Sequence, residues 1–527
     1  MVVVEYLYED MKRLVGLPLE KVVNGLSELG APSEYETETK KVITELTPNR
    51  PDWYSMEGLA RALRAYYGLG HPRYKAKKSD YEVIVDASLE KIRPYTACAV
   101  VRGLSLDDQS ITDIVLLQEK LLATLGRKVK KFGLGIYPLH AIKFPVSYTT
   151  MKPADIRYVP LGAESEMDAA QIIERHKKGQ QYGHLIKHFD RYPVFVDAAG
   201  KIMALIPIVN SAETGRVDVE TKDIFMEVSG NDLHACKAAL NILVCTFTDM
   251  GGTAYEVAVR YGKETLILPD LKPGKVRLEL EKVNKLLGLE LREKDVAGLL
   301  ERMGYGYEGG HAIVPPYRAD VLGSVDVVED IAIAYGYNNF KPTIPDFFFP
   351  GEINREYAEV DAAMVGMGFI EIKTFILTNR EKLQRICYDG EVVEIANPST
   401  EEFTVIRPNL VAGMLDTLAI NKMKGLPQRF YEIGLVQSLG SDRKRVIFGV
   451  MDKVVDFSDA RGYLQTLAAE AGFEFVLEKK EMGLFEPDIS CAVVSKGKMV
   501  GIFGKIKPAV MGGFGLSFEV YLCELEL

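Results

Sequence analysis

Four acidic residues crowd into one segment of eleven positions, and this crowding limits how the segment can fold. The four are Asp320, Asp326, Glu329 and Asp330. If residues 325–335 form a helix, the last three acids stand at positions i, i+3 and i+4 and share one face. Such carboxylates repel each other unless a cation or a basic partner neutralises them, and oxygen-only ligands suit Mg²⁺. The alternative is a solvated helix start with Ser324 as its cap and the acids at the positive end of the helix dipole.

The chain is too long for a single hydrophobic core. Its 527 residues, 47% hydrophobic and 26% charged, predict a multidomain α+β protein. The predicted domains are an α/β domain at 1–80, a mixed α/β domain at 81–260, a small helical or winged-type module at 265–345 and a sheet domain at 351–527. A net charge of −10 excludes a general attraction to nucleic acid, so contact with RNA would be local or supplied by a partner.

Cysteine usage and the N-terminal sequence indicate the compartment. Six cysteines are scattered without a Cys-x-x-Cys pair, which argues against structural zinc and against a disulfide framework. His184 and His188 are spaced like zinc ligands on a helix, but no third ligand is evident nearby. The N-terminus lacks a signal peptide's basic region, and no apolar stretch approaches the ~18 residues of a membrane helix. We therefore expect a reduced, cytoplasmic protein that makes no use of a membrane.

Apolar spacing and turn residues predict the secondary structure. Helices are predicted at 8–17, 19–29, 57–67, 111–125, 233–249, 281–287, 293–303, 355–367, 410–423 and 459–471. Strands are predicted at 40–46, 81–85, 97–103, 194–197, 202–206, 224–228, 371–375, 430–436, 445–450, 489–494, 500–505 and 520–526. Residues 197–201 read as a hairpin turn, and the proline-rich segment 49–55 reads as a rigid connector in which Ser55 caps the next helix.

The acidic segment resembles a known family. The string YRADVLGSVDVVEDIAIAYGYNNF at 317–340 is similar to phenylalanine–tRNA ligase beta subunits, most of all the archaeal and eukaryotic ones. The likeness extends over essentially the whole chain, and segment 49–55 resembles the family's Asn-Arg-Pro-Asp-x-x-Ser turn. In that family the four acids bind Mg²⁺, so the resemblance implies a Mg²⁺ site at Asp320, Asp326, Glu329 and Asp330.

The second domain resembles the family's editing domain, which hydrolyses tyrosine wrongly attached to tRNA(Phe). Segments 206–211 and 221–227 carry this likeness. Because an apolar pocket rejects an added hydroxyl weakly, a second site that hydrogen-bonds the phenol improves selection. The resemblance implies an editing pocket with Asn210, Ser211, Glu213, Glu227 and His140. The alternative for Glu213 is a solvated loop. Tyr137 stands where the family commonly has His, and His140 is the candidate substitute for it.

The last domain resembles the beta subunit's catalytic-like domain, which has the class II synthetase fold. Residues 407–410 and 430–434 carry the likeness, but the late glycines Gly513 and Gly515 are followed by no arginine for ATP phosphates. The resemblance therefore implies adenylation on an alpha subunit, in a tetramer of two alpha and two beta chains that attaches phenylalanine to tRNA(Phe) with ATP and Mg²⁺. A free-standing mischarged-tRNA deacylase and a scaffold subunit with a dead editing pocket remain open.

Overall fold

The structure is a computed structural model that describes residues 2–344, 351, 357–438 and 440–526. The chain divides into two compact units, Met1–Ile344 and Pro345–Leu527. Both units combine helices with sheets whose strands pair mostly antiparallel, in agreement with the predicted multidomain α+β class. Within the described ranges, no helix is long and apolar enough to cross a membrane.

The first 80 residues fold as a small sheet covered by three helices. The elements are β1 (Val2–Leu7), α1 (Tyr8–Val15), α2 (Leu19–Glu28), β2 (Ser33–Glu36), β3 (Lys41–Leu46) and α3 (Met56–Tyr66). The strands pair antiparallel in the order β1–β3–β2. Strand β1 goes beyond the sequence predictions and alternates Val4 and Tyr6 inward with Glu5 outward. Ser55 caps α3 as predicted, because its side chain accepts a 3.1 Å hydrogen bond from the Gly58 amide.

Segment 49–55 is a rigid connector held by its own side chains. Arg50 donates two hydrogen bonds to Asp52, at 2.9 and 2.8 Å, and both side chains are buried. The same guanidinium lies 3.6 Å from the centre of the Trp53 ring, a cation–π contact. These contacts account for the Arg-Pro-Asp-Trp sequence by packing alone.

Three sheets, of four, seven and two strands, make up the next part of the first unit. The elements are β4 (Glu82–Val85), β5 (Tyr95–Arg102), α4 (Asp108–Ala123), β6 (Phe132–Pro138), β7 (Val146–Met151), β8 (Arg157–Tyr158), β9 (Met167–Asp168), α5 (Ala169–Arg175), α6 (Lys177–Tyr182), β10 (Tyr192–Val196), β11 (Ile202–Leu205), β12 (Val209–Asn210), β13 (Ile224–Gly230), α7 (Leu233–Asp249), β14 (Thr253–Tyr255), β15 (Val257–Tyr261) and β16 (Glu264–Leu268). The two larger sheets have the orders β14–β5–β13–β6 and β12–β11–β10–β7–β4–β15–β16, and β8 pairs antiparallel with β9 in the third. Helix α7 packs on β5 and β13, and the predicted hairpin turn joins β10 to β11.

The end of the first unit is a three-stranded antiparallel sheet with three helices. The elements are β17 (Gly274–Arg277), α8 (Leu280–Leu287), α9 (Glu293–Arg302), β18 (Gly306–Glu308), β19 (His311–Val314) and α10 (Ser324–Tyr335). The sheet order is β17–β19–β18, and α10 packs on α8 and α9. The N-cap of α10 is Gly323, so the sequence-based placement of Ser324 as the cap is wrong by one position. One hydrophobic core runs from β1 through α7 to α10.

The second unit contains a seven-stranded sheet with helices on both faces and a separate two-stranded sheet. The elements are α11 (Ala358–Gly366), β20 (Ile370–Glu371), β21 (Leu377–Thr378), α12 (Arg380–Arg385), β22 (Val405–Ile406), α13 (Val411–Ile420), β23 (Gln428–Ser438), β24 (Ser441–Asp452), α14 (Phe457–Glu470), β25 (Val476–Lys479), β26 (Phe485–Ser495), β27 (Lys498–Ile506), α15 (Pro508–Gly513) and β28 (Glu519–Glu526). The order is β20–β23–β24–β28–β27–β26–β25, and only the β20–β23 pair of these described strands is parallel. Neighbouring residues Ile447 and Phe448 enter different hydrophobic clusters, so the sheet is covered on each side.

Two predictions differ from the structure, and a third falls partly outside the described residues. The strand expected at 371–375 ends at Glu371, because the Lys373 and Thr374 side chains turn to bond the Ile433 carbonyl and the Glu432 carboxylate. The helix expected at 355–367 begins outside the described residues, and α11 covers its later part. His184 lies in a short 3₁₀ turn, not on a common α-helix with His188.

Candidate functional site

A small cavity of about 160 Å³ lies beside β6, the edge strand of the four-stranded sheet. Its wall is mostly apolar and includes Ile136 from β6, Ile114 from α4 and Phe247 from α7. Asn210 and Gln118 contribute the polar side chains of this wall. A largely apolar cavity with a few polar groups is typical of a small-ligand site, and Asn210 is one of the predicted editing residues.

Asn210 is fixed at the edge of the sheet by two hydrogen bonds of its side-chain amide, one donated and one accepted. Its Nδ2 donates to the Ile136 carbonyl at 3.4 Å, and its Oδ1 accepts from the Tyr137 hydroxyl at 3.2 Å. Successive residues of a strand face opposite sides, so Ile136 lines the cavity while Tyr137 lies on the other face of β6. The Asn210 side chain therefore lines the cavity and also contacts the buried Tyr137 on the other face of β6.

Glu227 is a carboxylic acid enclosed in that interior. It lies on β13 and is paired in the sheet register with Gly135 of β6. Burial raises the pKa of Glu227 to about 8, so the side chain is largely protonated at neutral pH. The Ser229 hydroxyl donates to its Oε2, whereas Oε1 has no hydrogen-bond partner among the described residues.

Tyr137 fills the space above Gly135 and reaches Glu227. The ring is fully buried, and burial raises the pKa of the Tyr137 hydroxyl well above its usual value. A Cβ at Gly135 would lie 2.5 Å from the Tyr137 hydroxyl oxygen and 2.7 Å from Glu227 Oε1. Glycine at this position thus leaves room for a phenol hydroxyl beside Glu227 and Asn210.

The other predicted editing residues lie elsewhere. Ser211 is buried, and its hydroxyl accepts a 3.2 Å hydrogen bond from the Glu213 amide. Glu213 forms an ion pair with Lys201 while 63% of its side chain stays exposed, which agrees with a solvated loop. His140 is exposed on the 3₁₀ turn Leu139–Ala141. The structure therefore gathers Asn210 and Glu227 around Tyr137 and leaves Glu213 and His140 at the surface.

An arginine lies between two of the four acids of the acidic segment 320–330. Arg318 donates to both oxygens of Asp320, at 2.8 and 2.7 Å, and to Asp330 at 2.7 Å. Tyr305 also donates to Asp330, at 2.5 Å. Burial would raise the pKa of Asp320, but the hydrogen bonds and charge of Arg318 outweigh it and lower this pKa. Sequence reasoning missed Arg318 as the partner, although the same Arg-x-Asp spacing occurs at Arg50.

The remaining two acids have different surroundings. Asp326 accepts hydrogen bonds from the Leu322 and Gly323 amides at 2.7 and 2.8 Å, which satisfies free N–H groups at the start of α10. Glu329 is exposed one turn further along and lines a surface groove. The helix expected from the sequence is therefore present. Two of the four acids bind Arg318, one accepts from backbone amides at the helix start, and one is exposed.

This arrangement does not fit one Mg²⁺ ion as it stands. Arg318 occupies both oxygens of Asp320, and Asp326 is engaged by backbone amides. Across the part of the chain that the structure describes, no group of three or more His, Cys, Asp or Glu side chains is arranged to hold a metal. Neutralisation by a basic partner, one of the two ways to relieve the carboxylate repulsion, is the one that the structure contains.

Two arginines of the second unit are bound to buried carboxylates. Arg407 donates to Glu432 at 2.9 Å and to the Thr374 hydroxyl at 2.7 Å. Arg445 donates at 2.8 Å to Glu524, whose other oxygen accepts from a backbone amide. Burial raises the pKa of Glu524. These guanidinium groups are committed to structural pairs beside the central strands β23, β24 and β28.

Comparison with known proteins agrees over both units. Residues 276–337 match the family described as tRNA synthetase B5 domain, and residues 349–527 match the phenylalanyl tRNA synthetase beta chain CLM domain. The phenylalanine–tRNA ligase beta subunit of Pyrococcus abyssi is 36% identical over 543 aligned positions, which cover 98% of this chain and 97% of that protein. The Archaeoglobus fulgidus beta subunit is 34% identical and covers 100% of this chain and 98% of its own.

A solved structure shows the same likeness for the first unit. The crystal structure of an N-terminal fragment of the phenylalanyl-tRNA synthetase beta subunit from Pyrococcus horikoshii is 35% identical with a TM-score of 0.60. It covers 63% of this chain and 99% of the fragment. The fold and these matches define an aminoacyl-tRNA ligase subunit. The chain belongs to the phenylalanine–tRNA ligase beta subunit family, and the resemblance predicted from its sequence is confirmed.

Proposed function

We propose that this chain pairs with an alpha subunit in a cytoplasmic tetramer of two alpha and two beta chains, and that the alpha subunit adenylates phenylalanine. The observation that carries this division of labour is the pairing of Arg407 with Glu432 and of Arg445 with Glu524. Class II synthetases place arginines against the ATP phosphates, whereas these two are neutralised inside the protein. No arginine follows the glycines at 513 and 515 either.

Phenylalanine-dependent exchange of pyrophosphate into ATP tests the division of labour. The purified chain alone is expected to show no exchange above background, and the chain with its alpha subunit is expected to exchange and to charge tRNA(Phe). Size-exclusion chromatography with light scattering gives the subunit ratio in the same samples. Exchange by the beta chain alone would overturn the proposal.

We further propose that the domain at 81–260 hydrolyses mischarged Tyr-tRNA(Phe). The support is the apolar cavity of about 160 Å³ with the fixed amide of Asn210 in its wall. Ester hydrolysis needs a positioned water and hydrogen-bond donors for the developing oxyanion, which side-chain amides can supply. Deacylation of Tyr-tRNA(Phe) by the tetramer, compared between wild type and Asn210→Ala, measures the role of this amide, and equal rates would exclude it.

The two rival functions give different results in the same assays. A free-standing deacylase would clear Tyr-tRNA(Phe) at full rate as a monomer, without the alpha subunit. A scaffold with a dead pocket would form the tetramer and support charging, and its deacylation rate would equal the uncatalysed rate. The editing subunit requires both assembly and deacylation.

We propose that the ligase uses Mg²⁺ together with its ATP, because Mg²⁺ commonly bridges substrate phosphates. The predicted Mg²⁺ set of Asp320, Asp326, Glu329 and Asp330 stays a prediction, and it requires Arg318 to release two of the four carboxylates. Mn²⁺ binding to the tetramer, measured with wild type and with Asp326→Ala plus Glu329→Ala, is the direct assay. If the double variant assembles, charges and binds Mn²⁺ like wild type, these two acids hold no metal.

A further inference from the structure

The groups around the Tyr137 hydroxyl form a complete binding site for a phenol. A phenol hydroxyl has one hydrogen to donate and an oxygen that accepts. Asn210 Oδ1 accepts the hydrogen at 3.2 Å, and its orientation is set by the second bond from Nδ2 to the Ile136 carbonyl. Glu227 is protonated at neutral pH and offers a carboxylic O–H on the other side.

The space for the hydroxyl is held open by the backbone. Gly135 is the register partner of Glu227, and any side chain there would collide with both the Tyr137 hydroxyl and Glu227 Oε1. Glu227 Oε1 is buried and has no hydrogen-bond partner among the described residues. An unpartnered buried polar atom is costly, so a group that approaches it is favoured. The chain's own Tyr137 provides the hydroxyl that approaches it.

We propose that Tyr137 is a specificity-determining residue, which occupies with its own phenol the position where the editing site would read the phenol of a tyrosyl group. The inference rests on the proposed editing function. A tyrosyl substrate must displace the Tyr137 side chain to reach Glu227 and the Asn210 Oδ1 to which Tyr137 donates. Without that displacement, the tyrosyl group can bind only in the apolar cavity on the opposite face of β6. The lining of that cavity accommodates a phenyl ring as well as a phenol.

Two properties follow for the wild-type chain. Selection of tyrosyl over phenylalanyl esters is weak, because the Tyr137 side chain covers the buried groups that distinguish a phenol from a phenyl ring. Removing the Tyr137 ring creates a phenol-shaped vacancy that retains one donor and one acceptor. A vacancy of this kind binds a phenol better than the hydrocarbon of the same shape, since the hydrocarbon leaves both buried groups unpaired.

The first experiment measures small-molecule binding and needs no tRNA. Wild type, Tyr137→Ala, Tyr137→Phe and the double variant Tyr137→Ala with Glu227→Leu are titrated with 4-methylphenol and with toluene, and binding is followed by thermal shift and calorimetry. Tyr137→Ala is expected to bind 4-methylphenol about tenfold more tightly than toluene, the effect of one buried hydrogen bond. Wild type and Tyr137→Phe are expected to show no preference between the two probes, because only the apolar cavity is open to them. The double variant is expected to show a smaller preference than Tyr137→Ala, because it keeps only the Asn210 acceptor.

The second experiment measures deacylation with the assembled tetramer. Tyr137→His removes the phenol and leaves a smaller ring, so it is expected to raise Tyr-tRNA(Phe) hydrolysis about tenfold over wild type. Hydrolysis of Phe-tRNA(Phe) is expected to stay the same. The quantity to compare between variants is therefore the ratio of the Tyr-tRNA(Phe) rate to the Phe-tRNA(Phe) rate. Tyr137→His also replaces Tyr137→Ala in the binding experiment if the alanine variant does not fold.

The outcomes separate this inference from the editing function on which it rests. If Tyr137→Ala or Tyr137→His prefers 4-methylphenol but no variant hydrolyses Tyr-tRNA(Phe), the phenol site is real and the editing function is wrong. If the variants bind both probes equally, or if wild type already binds 4-methylphenol as tightly, Tyr137 does not fill a phenol site. Slower Tyr-tRNA(Phe) hydrolysis in a folded Tyr137→His tetramer would overturn the proposed role as well.

Discussion

Glu227 makes the stability of the first unit depend on pH. Its folded pKa is raised by burial to about 8, so the folded state holds a proton that the unfolded chain releases near pH 4.5. The stabilising effect of this proton is complete at low pH and is lost as the pH rises towards 8. Glu227→Gln keeps a neutral side chain of similar shape. We therefore expect the difference in free energy of unfolding, Glu227→Gln minus wild type, to rise by ~1.4 kcal/mol per pH unit through this window.

Denaturant unfolding of both proteins between pH 5 and 8.5 gives this difference directly, and other titrating groups cancel in the comparison. Glu213→Gln is the matched control, because Glu213 is exposed and paired with Lys201. A Glu227→Gln difference that stays flat with pH, like that of the control, would mean that Glu227 is already ionised in the folded chain.

Arg318 is the second residue on which the first unit depends. Its side chain is 2% exposed and pairs with Asp320 and Asp330, which are 10% and 6% exposed. Arg318→Met leaves both carboxylates buried without a cation, and we expect a loss of about 3–5 kcal/mol in the free energy of unfolding. Arg292→Met is the control, since its pair with Asp295 has a largely exposed arginine and is worth little. A comparable small loss for both variants would exclude the bridging role.

Among the elements, helix α10 depends on the carboxylate of Asp326. This side chain accepts from two backbone amides at the helix start, so Asp326→Ala leaves these amides to water and is expected to cost ~1 kcal/mol of unfolding free energy. Glu329→Ala, on an exposed position of the same helix, is expected to stay within about 0.5 kcal/mol of wild type. Thermal unfolding in a metal-free buffer compares the two, and equal effects would argue against the capping role.

The elements also show how far the sequence predicts the fold. Helix α7 spans the predicted 233–249, because its apolar positions are many and Asp232 caps its first turn. Strand β6 escaped prediction since it carries Gly133 and Gly135, and glycine is unusual inside strands. Those glycines are required by contacts with distant residues, Pro207 and Glu227, which a local pattern does not contain. The candidate site was predicted in part for the same reason.

The two acids Asp326 and Asp330 illustrate this limit at the acidic helix. Their common position on one helix face follows from spacing alone and is present in α10. Whether a metal or an arginine neutralises the acids depends on the direction of the Arg318 side chain. That direction is set by packing against Tyr305, 5.1 Å from the guanidinium and itself bonded to Asp330. Spacing along the chain predicts which residues are neighbours on one helix. The partner that neutralises these acids, Arg318, lies outside that helix.

For the whole molecule, we expect the first unit to fold without the second. Its hydrophobic clusters contain residues below 345 only, and those of the second unit contain residues above 356 only. A fragment of residues 1–344 should therefore unfold cooperatively in calorimetry. A fragment of residues 1–273 is the control, because it removes β17 to α10 from the shared core and is expected to lose that cooperativity. Equal behaviour of the two fragments would contradict a continuous core.

That continuous core ties the beginning of the chain to the end of α7. Ser55 shares a 3.3 Å hydrogen bond with Thr246, and Arg61 and Tyr74 both bond Asp249. Residues almost two hundred positions apart thus form one buried seam. In a chimaera that carries the first 80 residues of a relative, the contacts between this segment and α7 will be mismatched. Exchanging the last turns of α7 together with the segment avoids the mismatch.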